Sequence, residues 1–151
     1  MNNKCCEGLF DDFKSPEDIK TVTPPKKKGV YVISVKATGK TPSEIIKQVE
    51  PLISQLNWST VGDYMRERIC RLKKVSECPT IYIGKADDLR RRYDDFRGCH
   101  TAMYPIWALL FFGWELEYGW VLDESPGKRE EELKNQYRNK HSDNLPALVE
   151  E

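Results

Sequence analysis

The stretch WELEYGWVL at 114–122 places Trp114, Leu116, Tyr118, Trp120 and Leu122 at every second position, with Glu115, Glu117, Gly119 and Val121 between them. Alternate residues of a strand point to opposite faces, so this segment has one apolar face and one largely polar face. Strands of all-parallel sheets are covered on both sides and read apolar throughout. The alternation therefore calls for an antiparallel sheet. Two other runs, GVYVISV at 29–35 and TIYIG at 80–84, are β-branched and aromatic and read as more deeply buried strands. Helical patterns lie between and after them. The fold class is α+β, with a small, mostly antiparallel sheet.

The helices announce their ends. In TPSEIIKQVEPLISQL (41–56), Thr41 is the cap, Pro42 occupies the first turn and Glu44 completes a capping box. Ile45, Val49, Leu52, Ile53 and Leu56 form its apolar stripe, and Pro51 predicts a kink or a division into two. A second helix is expected from about Val61 to Lys74, with Arg66, Arg68, Arg71, Lys73 and Lys74 on a basic face. Asp87 or Asp88 caps the helix after TIYIG, YPIWALLFF (104–112) is a buried helix closed by Gly113, and Ser125-Pro126 opens a last helix ending near Lys140. Residues 1–28, ending in TVTPPKKK, read as a loosely structured arm.

At 151 residues the chain is most simply one domain, and its 24 basic and 24 acidic residues leave no net positive field. An anionic partner must be held by a local basic surface. Cys5, Cys6, Cys70, Cys78 and Cys99 lack paired C-x-x-C spacing, and His100 and His141 do not complete a zinc pattern. They read as thiols of a reducing, cytoplasmic setting. No signal segment opens the chain and no apolar run is long enough to span a bilayer, so no membrane partner is expected.

Helix geometry sorts the charges of KADDLRRRYDDF. Leu89, Tyr93 and Phe96 form the apolar stripe; Arg91 lies nearly opposite it, and Arg92 flanks it, half-buried against the sheet. A guanidinium so placed needs a carboxylate or a bound phosphate. In the last helix Leu133 and Tyr137 face inward, and of Glu130, Glu131 and Glu132 only Glu130 lies near them. Such a carboxylate must be paired or bind a metal. A structural Glu130–Arg92 salt bridge and a catalytic role both satisfy that need. Tyr31 and Tyr82, one per strand, fit core packing or chemistry alike.

GVY (29–31) and YIG (82–84), followed by K-x3-L-x2-R (Lys85, Leu89, Arg92), resemble the GIY-YIG nuclease superfamily. The later Glu130, Leu133, Tyr137 and His141, with LPAL at 145–148, resemble that family's metal-glutamate helix and its exit. The resemblance covers roughly residues 29–35 and 80–148. It implies a three-stranded antiparallel sheet flanked by helices over 29–148, with a two-helix insert at about 41–74, an N-terminal arm at 1–28 and a tail at 149–151. It also implies an endonuclease that hydrolyses phosphodiester bonds in DNA with one Mg²⁺ or Mn²⁺ ion; RNA cleavage would use the same chemistry. Tyr31 would be the general base or would position the attacking water, and Tyr82 would bond the water or phosphate. Lys85 would assist deprotonation of the tyrosine, Arg92 would neutralise the scissile phosphate, and Glu130 would be the protein's metal ligand. The 51 residues from Tyr31 to Tyr82, Phe96 one turn beyond Arg92, and LPALV without the family's asparagine depart from the usual pattern. The alternative function is a nucleic-acid-binding or interaction module that keeps the fold without efficient cleavage.

Overall fold

The computed structural model describes residues 6–55, 63, 78–98 and 104–149. Four strands form one antiparallel sheet in the order β1-β4-β2-β3: β1 (Glu17–Asp18), β2 (Gly29–Ala37), β3 (Thr80–Ala86) and β4 (Glu115–Leu122). The described helices are α1 (Pro42–Gln55), α2 (Leu89–Arg97), α3 (Tyr104–Phe111) and α4 (Pro126–Lys140). The α+β class with an antiparallel sheet is as the alternation required.

Strand parity divides the core into two layers. Tyr31 pairs with Gly84 and Trp120, and Ile33 with Tyr82 and Tyr118, so these residues share one face. Against that face pack Leu89, Tyr93 and Phe96 of α2 and Ile106 and Leu109 of α3. Val30, Val32 and Ile83 point the other way, onto Leu133 and Tyr137 of α4. A helix on each side makes a three-layer arrangement, which explains why β2 carries apolar residues at both parities while β4 alternates.

Local signals produced the expected caps. Glu44 N donates to Thr41 Oγ1 at 3.3 Å and Thr41 Oγ1 donates to Glu44 Oε1 at 2.9 Å. Arg91 N donates to Asp88 Oδ1 at 3.0 Å, which identifies Asp88 as the cap of α2. Gly113 takes a φ of +91°, and its amide reaches Leu110 O to close α3. Pro51 does not divide α1, which runs through it to Gln55. One missing amide removes one hydrogen bond and not the helix.

The sheet has four strands where three were expected, because the N-terminal segment is not a loose arm. Glu17 and Asp18 pair with Tyr118 and Glu117, and flanking bonds Lys14 N to Trp120 O (2.8 Å) and Ile19 N to Leu116 O (3.1 Å) lengthen that edge. On one side of the edge Leu9, Phe10 and Phe13 join the α4 layer; on the other Ile19 and Val22 join the α2 layer. Arg129 of α4 donates to both oxygens of Asp12 at 2.7 Å, and this pairing holds the Asp12 carboxyl below its usual range. The two-residue strand was invisible because its side chains, Glu17 and Asp18, stay exposed; only the backbone joins the sheet. Apart from Asp63, which is helical and exposed, the expected helix at 61–74, with its basic face, lies outside the described residues, as does His100.

Candidate active site

The Tyr31 ring lies over the backbone of β3. An added Cβ at Gly84 would meet Tyr31 Cζ at 2.4 Å and its hydroxyl oxygen at 2.5 Å, with Tyr82 Cε1 at 2.7 Å. A residue with any side chain at position 84 would occupy the place of that ring. Tyr31 is stacked between Tyr82 (centroids 5.7 Å apart) and Tyr118 (5.4 Å), and a hydrogen bond joins Tyr31 to Tyr82. Beside this stack a small hollow is lined by Tyr31, Tyr93, Phe96, Tyr118 and Arg92. Phe96 belongs to the core and stacks on Trp107 at 5.0 Å.

Of the three consecutive arginines, each has a different placement. Arg90 Nε donates to Pro24 O at 2.8 Å, a backbone contact. Arg91 is exposed. Arg92 stands at the rim of the hollow with 48% of its side chain in solvent, 3.9 Å from Asp95. Its cation is close enough to Tyr31 and Tyr118 to favour their ionised forms, although weakly. Burial outweighs it: desolvation, then the neighbouring phenols, pushes Tyr31 well above the ordinary tyrosine value. Tyr118 moves the same way for the same leading reason. At neutral pH both hydroxyls keep their protons, so Tyr31 in this state is a hydrogen-bonding group and not a standing base.

Lys85 and Glu130 come from the other layer. Lys85 pairs with Val30, on the face opposite Tyr31 and Tyr82, and its Nζ lies 3.4 Å from the Cβ position of Gly127 in the first turn of α4. The cation beside Tyr31 is therefore Arg92, and Lys85 is not the residue adjoining the tyrosine. Glu130 is the inward-edge carboxylate expected from helix geometry, 17% exposed, with Glu131 and Glu132 in solvent. It pairs with Lys134 Nζ at 3.0 Å, so the structural Glu130–Arg92 alternative is replaced by an i,i+4 pair within the helix. A single carboxylate at a helix edge fits a hard divalent cation whose other ligands are water and phosphate oxygens.

Tyr118 stands beside Tyr31, a neighbour that sequence reasoning passed over. The alternation assigned its face, but only the register, opposite Ile33, brings it to 5.4 Å from Tyr31. Its hydroxyl is buried without a hydrogen-bond partner among the described residues. Comparison with family models, with curated proteins and with solved structures gave no match. No described helix is long and apolar enough to cross a membrane.

Two outcomes are expected from this geometry. Gly84→Ala forces a methyl group into the Tyr31 ring and should destabilise the fold by about 1–3 kcal/mol, the usual range for overpacking. Urea unfolding would show it as a lower midpoint at unchanged slope; an unchanged midpoint would contradict the close approach. The second concerns alkaline pH. Tyr31 and Tyr118 lose protons near 10.0 in the unfolded chain and at higher pH when folded. Their contribution is fully present below pH 10 and declines as pH rises beyond it, since the unfolded chain then binds fewer protons. Tyr118→Phe should leave stability at pH 7 undiminished, because its hydroxyl gives up no bond, and make the decline above pH 10 shallower. A loss above about 1 kcal/mol at pH 7 would mean that the hydroxyl is partnered.

Proposed function

We propose that the chain is a divalent-metal-dependent endonuclease of the GIY-YIG type that hydrolyses phosphodiester bonds in DNA. The observation that carries this reading is the approach of Tyr31 to Gly84. The two halves of the GVY and YIG motifs interlock there: the glycine of one makes room for the tyrosine of the other, with Tyr82 stacked alongside and Arg92 at the rim. Core packing alone places no such demand on position 84, and it gives no reason for a half-exposed arginine beside three stacked phenols.

β3 is last in the sheet order, so its Gly84–Lys85 end is open to both faces of the sheet. A phosphodiester laid across that end would have the tyrosine face, with Arg92 at its hollow, on one side and Lys85 and the start of α4 on the other. In hydrolysis the water oxygen bonds to phosphorus, the bond to the sugar oxygen breaks, and a proton from the water ends on the leaving alkoxide. Tyr31 and Tyr82 orient the water through their hydroxyls. Arg92 offsets the charge that develops on the phosphoryl oxygens, and Lys85 holds the adjacent backbone. Glu130 would hold Mg²⁺ or Mn²⁺, which when bound supplies Lewis-acid stabilisation of the phosphate.

Incubating the protein with end-labelled duplex DNA, and with RNA of the same sequence, tests this reading. Cleavage of the DNA with Mg²⁺ or Mn²⁺, stopped by a chelator, is the expected result. DNA bound without cleavage in both metals would establish the binding-module alternative. Cleavage confined to the RNA would change the substrate class.

A further inference from the structure

Three residues far apart in sequence meet at the opposite end of α4 from Glu130. Cys6 from the N-terminal segment, Cys78 just before β3 and His141 just after α4 bring their ligand atoms within 4.8 Å of one another. Cys6 Sγ lies 3.0 Å from Cys78 Sγ and 3.5 Å from Thr80 Oγ1. Both cysteines are thiols, and Cys78 is 5% exposed. His141 follows Glu130 by eleven positions, roughly 16 Å along the axis at 1.5 Å per residue.

The histidine is oriented as a ligand. Its Nδ1 lies 2.7 Å from Tyr137 O, and a carbonyl only accepts, so Nδ1 carries the proton. In the neutral ring Nε2 then holds the lone pair. That nitrogen is buried without a hydrogen-bond partner among the described residues. Stacking on Tyr137, with centroids 3.7 Å apart, fixes the ring plane. A ring nitrogen bonded to a backbone carbonyl while the other faces thiols is the arrangement that orients imidazole on a metal.

We propose that Cys6, Cys78 and His141 form a binding site for a single Zn²⁺ ion. Two thiolates and an imidazole select a borderline-soft cation over Mg²⁺ or Mn²⁺, which prefer oxygen. Tetrahedral zinc–sulfur bonds of about 2.3 Å need the two sulfurs about 3.7 Å apart, so they open by less than about 1 Å on loading. Water or another side chain takes the fourth position. The ion ties the N-terminal segment, the entry to β3 and the end of α4, which also meet through a small apolar cluster and a 2.6 Å bond from Lys140 Nζ to Glu7 O. Binding displaces the thiol protons to solvent and involves no redox step. The inference is independent of the nuclease reading.

The 151-residue chain, reduced and freed of metal, would be titrated with Zn²⁺ against a chromophoric chelator and with Co²⁺ by absorbance. One Zn²⁺ per chain, a thiolate-to-cobalt charge-transfer band and a zinc-dependent rise in melting temperature are expected. Cys78→Ser should lose most of the charge-transfer band. His141→Ala should lose more affinity than the roughly 10–100-fold typical of removing a ligand's hydrogen-bond partner. Circular dichroism of the metal-free variants would check that they fold, and Glu130→Ala should retain the band. Absence of stoichiometric zinc binding to the reduced protein would overturn the proposal, as would unchanged affinity in Cys78→Ser or His141→Ala. A Cys6–Cys78 disulfide that forms on oxidation in a chain with no affinity for zinc would also overturn it.

Discussion

Arg92→Ala is expected to slow DNA cleavage at saturating substrate by about 100-fold or more, with a much smaller change in DNA affinity. The guanidinium stands at the rim of the tyrosine-lined hollow, and among the described residues its paired carboxylate, Asp95, is 3.9 Å away. With half its side chain in solvent, Arg92 contributes little to folding, so removal should leave the melting temperature nearly unchanged. A cation that acts mainly on charge developing in the transition state lowers the rate and not the binding. Arg91→Ala is the internal control: the same charge is lost one residue away, on the solvent side of α2. Equal and mild defects in the two variants would reduce the arginines to an electrostatic surface.

That Arg92 and not Arg91 lies beside the apolar stripe was legible in the sequence, because α2 is short and regular and Leu89, Tyr93 and Phe96 fix its phase; the half-burial expected of Arg92 was not met, since both arginines are exposed. Glu130 was legible for the same reason in α4. Caps at Thr41 and Asp88 and the Ser125-Pro126 start were readable because each rests on contacts within about four residues. Nothing comparable marked β1. Its Glu17 and Asp18 point to water, and only their backbone pairs with β4, so composition could not distinguish them from a loop. The buried Leu9, Ile19 and Val22 around it are scattered, without a period.

Site residues were harder where they depend on register. That Tyr31 and Tyr82 share a face follows only after Tyr31 is known to pair with Gly84, two residues from Tyr82. Lys85, three residues after Tyr82, must point to the other face of a regular strand; parity alone showed this, yet the motif suggested one cluster. Tyr118 required the β2–β4 register as well. The Cys6, Cys78 and His141 group lay beyond reach of spacing rules, which find metal ligands within a few residues of each other. Here the N-terminal segment, a strand entry and a helix end carry them.

Glu130→Ala should abolish cleavage and leave the fold intact. Its one described partner is Lys134 on the same helix, and an i,i+4 pair contributes only about 0.3–0.5 kcal/mol. Neighbouring Glu131 and Glu132 lie in solvent and cannot reach the place of the Glu130 carboxylate without rotating the helix. A purely structural carboxylate would give the reverse outcome, a slightly less stable protein with full activity. Conversion of supercoiled plasmid to nicked or linear forms, with Mg²⁺ or Mn²⁺ present, compares the wild-type chain and Glu130→Ala directly. Metal-dependent conversion by the wild type and none by Glu130→Ala, at matched melting temperatures, is the predicted result. Equal conversion by both proteins, or none by either, would contradict it.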